Sequence, residues 1–188
     1  LTSEGDSELG GMDFDQKIAE IIDQKHADNF GRSLRDALGL KSEEDERKSP
    51  PWQSLLRNAE DCKKTLSKMA SAPFNFYEGP DGPLKTEVTR QEFERAISSL
   101  IAKTEMRVET ALDDLDFKPE DIDEVLLVGG SSRVPAVKES LKRQFGKDYV
   151  LDYAVVRQGY ESRRRYKVII KLPTQASQRN VQATLEGA

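Results

Sequence analysis

One cysteine, one tryptophan and one histidine occur in the 188 residues. A lone Cys62 forms no intramolecular disulfide, which removes the disulfide-stapled secreted domains and fits a reducing cytoplasm. His26 has no second histidine and no nearby cysteine, so no His/Cys metal set of ordinary spacing exists. No apolar run approaches the ~18 residues of a membrane helix, and the first residues do not read as a signal peptide. Aromatic residues are only 7%, while charged residues reach 34% and mean hydropathy is −0.68. Most helices should therefore have one wet face. The net charge of −5 argues against nonspecific nucleic-acid binding. The expectation is a cytoplasmic chain without a membrane role, of one domain or two small subdomains.

Periodicity divides the chain. Residues 1–10 read as a loop. Gly11 to about Phe30 carries Phe14, Ile18, Ile21 and Ile22 at helical spacing. The charged stretch from Asp36 to Pro51 reads mostly as loop, with a short helix near Leu34–Leu38. From Trp52 to Met69, Leu55, Leu56, Ala59, Cys62, Leu66 and Met69 recur at three- and four-residue steps, a helix with Cys62 in the core. Phe74–Tyr77 and Leu84–Val88 flank Gly79-Pro-Asp-Gly82, which predicts a β-hairpin packed through Phe74, Phe76 and Tyr77. Thr89 and Glu92 form a capping box opening a helix whose one face is Phe93, Ile97, Leu100, Ile101, Val108 and Leu112. Pro119-Glu-Asp-Ile reads as a short helical turn.

The most informative stretch is VLLVGGSSRVPAV, Val125 to Val137. Four apolar residues suit a buried strand, Gly129-Gly130 follows, and Pro135 stands where a helix (Pro135–Phe145) begins. Strand, diglycine and helix start bring backbone N–H donors close to a flat or anionic ligand. Tight turning at a crossover explains a diglycine equally well.

VLLVGGSSRVPAVKESL resembles the adenosine motif of the seventy-kilodalton heat-shock chaperones, the DnaK-type ATPases. GDSELGGMDFDQKI (Gly5–Ile18), NAEDCKKTLSKM (Asn58–Met69) and TRQEFERAISSLIAKT (Thr89–Thr104) are similar to further segments of that family, in the family's order. The resemblance covers about Gly5 to Lys147. It implies an α/β fold: lobe II of an actin-like ATPase, a ribonuclease H-like mixed α/β subdomain with an inserted helical plus β-hairpin subdomain at about 36–89. It implies ATP or ADP as ligand, Mg-dependent in the family. The implied partners are a missing lobe I or a co-chaperone of nucleotide-exchange type.

By the same match, Glu60, Lys63, Lys64 and Ser67 hold the adenosine ribose and base. Spacing alone reads as a surface ion pair, since Glu60 and Lys64 are four apart on a helix. The family often has arginine where Lys64 stands, and lysine loses planar stacking. Gly129, Gly130, Ser131 and Arg133 match the adenine-side loop, where a guanidinium can stack on a purine; Arg133 can instead pair with a nearby acid. Gly10 and Gly11 match a Leu-Gly-Gly loop near ribose and phosphates, or simply turn the chain before Asp13–Asp15, whose carboxylates favour a helix start. Asp6 reads as a loop cap, and His26 as a residue of a charged helix without a metal role.

The family's phosphate loops, of Asp-Leu-Gly-Thr-Thr and Asp-Gly-Gly-Gly-Thr type, are absent from these residues, as is a lobe I catalytic lysine. No catalytic residue or metal ligand can be named, and the expectation is a truncated, nucleotide-binding part of a chaperone that does not hydrolyse ATP alone. The alternative is a noncatalytic protein-interaction module derived from such a lobe. Residues 148–188 depart from the resemblance, with seven Lys and Arg against four Asp and Glu. Tyr166–Leu172 reads as a strand, a charge-guarded edge or part of a nonnative tail. Tyr160, Arg163–Arg165 and Tyr166 could meet nucleic acid or an acidic partner.

Overall fold

The computed structural model describes residues 3–6, 10–122, 124–128, 130–146, 150–152, 166–171 and 181–187. The chain is mixed α/β and divides into two compact units, Leu1–Asp13 with Ser98–Ala188, and Phe14–Ile97. The segment expected as an inserted subdomain, about 36–89, lies inside the second unit.

The first unit is built on a five-stranded sheet in the order β1-β7-β6-β4-β5. Its strands are β1 (Ser3–Asp6), β4 (Glu124–Val128), β5 (Val150–Asp152), β6 (Tyr166–Lys171) and β7 (Val181–Gly187). β4 runs parallel to both β5 and β6, with Val125 opposite Val150 and Val168. β7 is antiparallel to β6 and to β1. Two helices accompany the sheet, α6 (Ser98–Asp113) and α7 (Pro135–Phe145). α6 lies against β1, β7 and α7. The two helices are joined at Glu105, which accepts from Ser140 Oγ and stands 3.6 Å from the Arg143 guanidinium. Leu100, Ile101, Val108, Leu112, Val125, Leu127, Val137, Leu141 and Phe145 are buried.

Two expectations change here. Residues 3–6, read as loop, form an antiparallel edge strand: β7 supplies the hydrogen-bonding partner that the local sequence does not reveal. β6 is no edge strand. It is flanked by β4 and β7, and residues 150–187 contribute three strands where one was expected. Tyr160 and Arg163–Arg165 lie outside the described residues.

The second unit gathers most of α1 (Gly11–Phe30) with α2 (Leu34–Leu38), α3 (Glu43–Lys48), α4 (Pro50–Leu66), the hairpin β2 (Ser71–Phe76) and β3 (Leu84–Thr89), and α5 (Arg90–Ala96). α4 buries Trp52, Leu55, Ala59, Cys62 and Leu66 at the three- and four-residue spacing of one helical face. That face packs on β2. Cys62 is in the core as expected, and burial pushes its thiol up to about 12, which makes it a poor nucleophile. Phe74 and Phe76 are buried, but Tyr77 is 64% exposed, because it follows the last paired residue of β2 and escapes the alternation. The Thr89–Glu92 capping box is present in full, but the helix it opens ends at Ala96 with Ile97 as its C-cap, so Leu100, Ile101, Val108 and Leu112 belong to a separate helix, α6. Phe93 packs edge-to-face on Phe14, the ring centroids 6.3 Å apart.

The stretch expected as loop before Pro51 contains α3. Ser42 accepts from the Asp45 N–H, four acids occupy the first turn, and Arg47 and Lys48 close the last. Those charges match the helix dipole and pair at i,i+4 as Glu43–Arg47 and Glu44–Lys48, so the charge run is a helix signature rather than a loop signature. Proline likewise starts rather than delays α4: Ser49 caps it and Pro50 takes the first position. The helix ends at Leu66, where Arg90 Nε donates to the Leu66 carbonyl at 2.8 Å, leaving Met69 outside it and exposed.

Glu92 gives this unit an acid-sensitive joint. Burial raises its carboxyl, but hydrogen bonds from Lys25 and from the Thr89 N–H and hydroxyl outweigh that and bring it down to about 2. A depressed carboxyl stabilises above its unfolded value, near 4.5, and the contribution is lost as pH falls toward 2. The side chain is 36% exposed, so the effect is on the order of 1–2 kcal/mol after solvent screening. Glu92→Gln should lower stability at pH 7 and flatten the loss between pH 4.5 and 2 in urea titrations; an unchanged acid limb would refute this.

Candidate functional site

On α4 the four sequence-selected residues occupy different environments. Lys63 points inward. Its ammonium is 2.7 Å from Asp15 Oδ1 of α1, with side-chain exposures of 12% and 2% for lysine and aspartate. Lys64, one residue on, is 61% exposed and pairs with Glu60 and Asp61 at 3.2 Å each. The hydrogen bond to Glu60, followed by that to Asp61, holds the Lys64 ammonium above its ordinary value. Glu60 remains 30% exposed, accessible to a ligand hydroxyl. Ser67 caps the helix, its N–H and Oγ both donating to the Lys63 carbonyl at 3.1 and 3.0 Å. Its hydroxyl is thereby oriented along α4.

Asp15 was not singled out as a site residue, although its position carried a signal. Asp15, Ile18, Ala19, Ile22 and His26 fall on one face of α1 and all are buried. A carboxylate on such a face needs a cation from a neighbouring helix, and Lys63 supplies it. Helix-dipole stabilisation, the reading drawn from Asp13–Asp15, belongs to Asp13: its Oδ2 accepts from the Gly10 N–H at 2.6 Å, and its own N–H donates to the Gly10 carbonyl at 3.2 Å. Gly10 therefore sits in a reciprocal cap, and Gly11 is the buried first residue of α1.

In the sheet-bearing unit, β4 leads toward Gly130. Gly129 lies outside the described residues. Gly130–Arg133 forms a 3-10 turn in which Ser131 and Ser132 are buried and Arg133 is exposed. The Val134 N–H donates to the Ser131 carbonyl at 3.1 Å, Val134 is extended, and Pro135 begins α7. The turn thus anchors its serines inward and presents Gly130 and the Arg133 side chain to solvent. That arrangement can offer a guanidinium plane to a flat ring.

His26, read as a residue of a charged helix, is fully buried. Among the described residues no three His, Cys, Asp or Glu side chains gather into a group that could hold a metal ion. No helix among them is long and apolar enough to cross a membrane.

The contrast between the two lysines is measurable. Removing Lys63 takes from the buried Asp15 carboxylate the cation 2.7 Å away, so Lys63→Ala should cost about 3 kcal/mol in denaturant unfolding. Lys64→Ala removes only a solvated pair and should leave the midpoint nearly unchanged. Equal, small effects from both would mean that the Asp15 contact does not hold α4 to α1.

Compared with known proteins, residues 1–152 match the Hsp70 protein family.

Proposed function

The chain belongs to the Hsp70 family, and on that premise we propose that it is an adenine-nucleotide-binding part of a chaperone ATPase domain. The family match over 1–152 carries the reading. The sheet-bearing unit is taken as the ribonuclease H-like subdomain of an actin-like lobe II, and the helical unit with its hairpin as the subdomain inserted into it. On α4, Glu60 is assigned to ribose hydroxyls, with Lys64 and Ser67 beside it. Lys63 keeps its place as a charge positioned by Asp15. In the sheet-bearing unit, Arg133 and the Gly129-Gly130-Ser131 backbone are assigned to the adenine side, and Gly10 and Gly11 to the ribose and phosphate side.

The half-buried Glu60 carboxylate and the exposed Arg133 guanidinium fit such a ligand, since one accepts from hydroxyls and the other stacks on a purine. ATP and ADP with Mg²⁺ are the cofactors of the family. In this reading the chain by itself binds without turning over, because its 188 residues contain neither phosphate-loop sequence. Its expected partners are the complementary lobe I and a nucleotide-exchange-type co-chaperone, in the cytoplasm.

One observation favours a second reading, a noncatalytic interaction module. Every charged group on this stretch of α4 already has a protein partner: Lys63 pairs with Asp15, and Lys64 with Glu60 and Asp61. Ligand titration separates the two. Adenosine and ADP should bind with a Kd on the order of millimolar, about −4 kcal/mol, and phosphates should add only a few fold. Glu60→Ala and Arg133→Ala should each abolish detectable saturation, since losing a charged hydrogen bond costs ~1.5–3 kcal/mol. Cys62→Ser should lower stability and leave binding unchanged. If adenosine shifts no amide resonance in Asn58–Met69 or in Gly130–Arg133, the interaction-module reading replaces this one. Submicromolar ADP binding with strong Mg²⁺ dependence would instead require phosphate contacts that the assignment lacks.

A further inference from the structure

The sole histidine of the chain occupies an unusual position. His26 lies on the buried face of α1, four residues after Ile22, with 0% exposure. Its Nδ1 is 2.8 Å from the Arg32 carbonyl oxygen in the connector to α2. A carbonyl only accepts, so Nδ1 carries its hydrogen. In the neutral ring Nε2 then bears a lone pair. That atom is buried and, among the described residues, has no hydrogen-bond partner. What faces it is the carboxylate of Asp81 in the β2–β3 turn, with Oδ2 at 3.8 Å. Two acceptors confront one another across a gap slightly too long for a hydrogen bond.

The surrounding charges hold the carboxylate in place. Arg32 Nε donates to Asp81 Oδ2 at 2.9 Å, and its Nη2 bonds the other oxygen, Oδ1. The Arg32 hydrogen bond keeps the Asp81 carboxyl below its ordinary range, so it remains ionised wherever an imidazole titrates. Asp36 of α2 acts on Arg32 in turn. The Phe30 ring, its centroid 4.6 Å from that of His26, offers a π face to a charged imidazole.

We propose that His26 is a proton-operated latch: protonated, its Nε2–H closes on the Asp81 carboxylate and ties the β2–β3 turn to the C-terminal end of α1. The proton comes from solvent and no covalent bond changes. In the neutral state Arg32 is the cation on Asp81 among the described residues; in the protonated state the carboxylate is shared by two cations. Burying the imidazolium opposes closure, and a charge-assisted hydrogen bond to the ionised Asp81 carboxylate favours it. The linkage has one sign. The latch adds stability on the acid side of the imidazole range and loses it as pH rises through that range.

The test uses the full chain, where one histidine makes the imidazole signals unambiguous. Long-range ¹H–¹⁵N spectra should show Nδ1 protonated and Nε2 bare at pH 8, and both nitrogens protonated at about pH 5.5 with the fold intact. Between pH 8 and 5.5, the unfolding constant of the wild type should fall about tenfold relative to that of Asp81→Asn. His26→Gln, should it fold, should lose the same pH dependence; the wild-type spectra and Asp81→Asn decide the matter without it. An imidazole that stays neutral down to pH 5.5, or identical pH dependence in wild type and Asp81→Asn, overturns the latch. Neither outcome depends on nucleotide binding.

Discussion

Four helices of the second unit meet at one guanidinium. Arg35, on α2, donates through Nη1 to Asp23 of α1 at 2.9 Å and through Nε to Glu46 of α3 at 2.6 Å. Its Cζ stands 4.4 Å over the ring of Trp52 on α4. Its backbone N–H also donates to Asp23, at 2.9 Å. α2 and α3 are only five and six residues long, too short to persist as isolated helices. Their order therefore derives from this junction and from their caps. The planar fork satisfies two carboxylates at once while its face covers an indole, a combination that a lysine ammonium cannot reproduce. α4, the helix bearing Glu60, begins beside this junction, capped by Ser49 with Pro50 in its first position.

The far end of α4 is held by a further charge pair, the buried Asp15 with Lys63. Adjacent lysines on one helix thus have opposite fates, and the reason is geometric. Successive residues are rotated by roughly 100°, so when Lys63 faces α1 its neighbour Lys64 must face water. Motif matching treats the Glu-x-x-Lys-Lys-x-x-Ser pattern as a single constellation. Packing divides it into an inward cation that fixes the helix and an outward Glu60–Lys64 pair that a ligand could reach.

Much of this was legible from sequence because it is local. The spans of α1, α2 and α7, the hairpin and the capping box follow from apolar spacing, proline placement and turn residues, all within a few positions of one another. The candidate turn was equally readable, since its diglycine and Pro135 are contiguous. The misreadings have two sources. α3 was hidden because it buries no residue, so apolar periodicity is silent and only caps and charge order mark it. β1 and β7, Asp15 and His26 depend on partners far along the chain, such as Thr184 opposite Ser3 or Lys63 opposite Asp15. A buried polar residue on an apolar helix face signals that a partner exists; its identity waits on tertiary structure.

That nonlocal dependence bears most on the Gly130–Arg133 turn. The strand that feeds it, β4, has both of its neighbours, β5 and β6, drawn from residues 150–171. β6 and β7 lie wholly beyond the family-matched span, which ends at residue 152. A strand paired on both sides is constrained in register, and register fixes which side chains face the core. With Val125 and Leu127 buried, a one-residue slip of β4 would expose them and reorient the chain entering the turn. The basic C-terminal segment is therefore bound up with the most family-like feature of the chain. Any role assigned to Arg133 rests on strands that the motif itself does not contain.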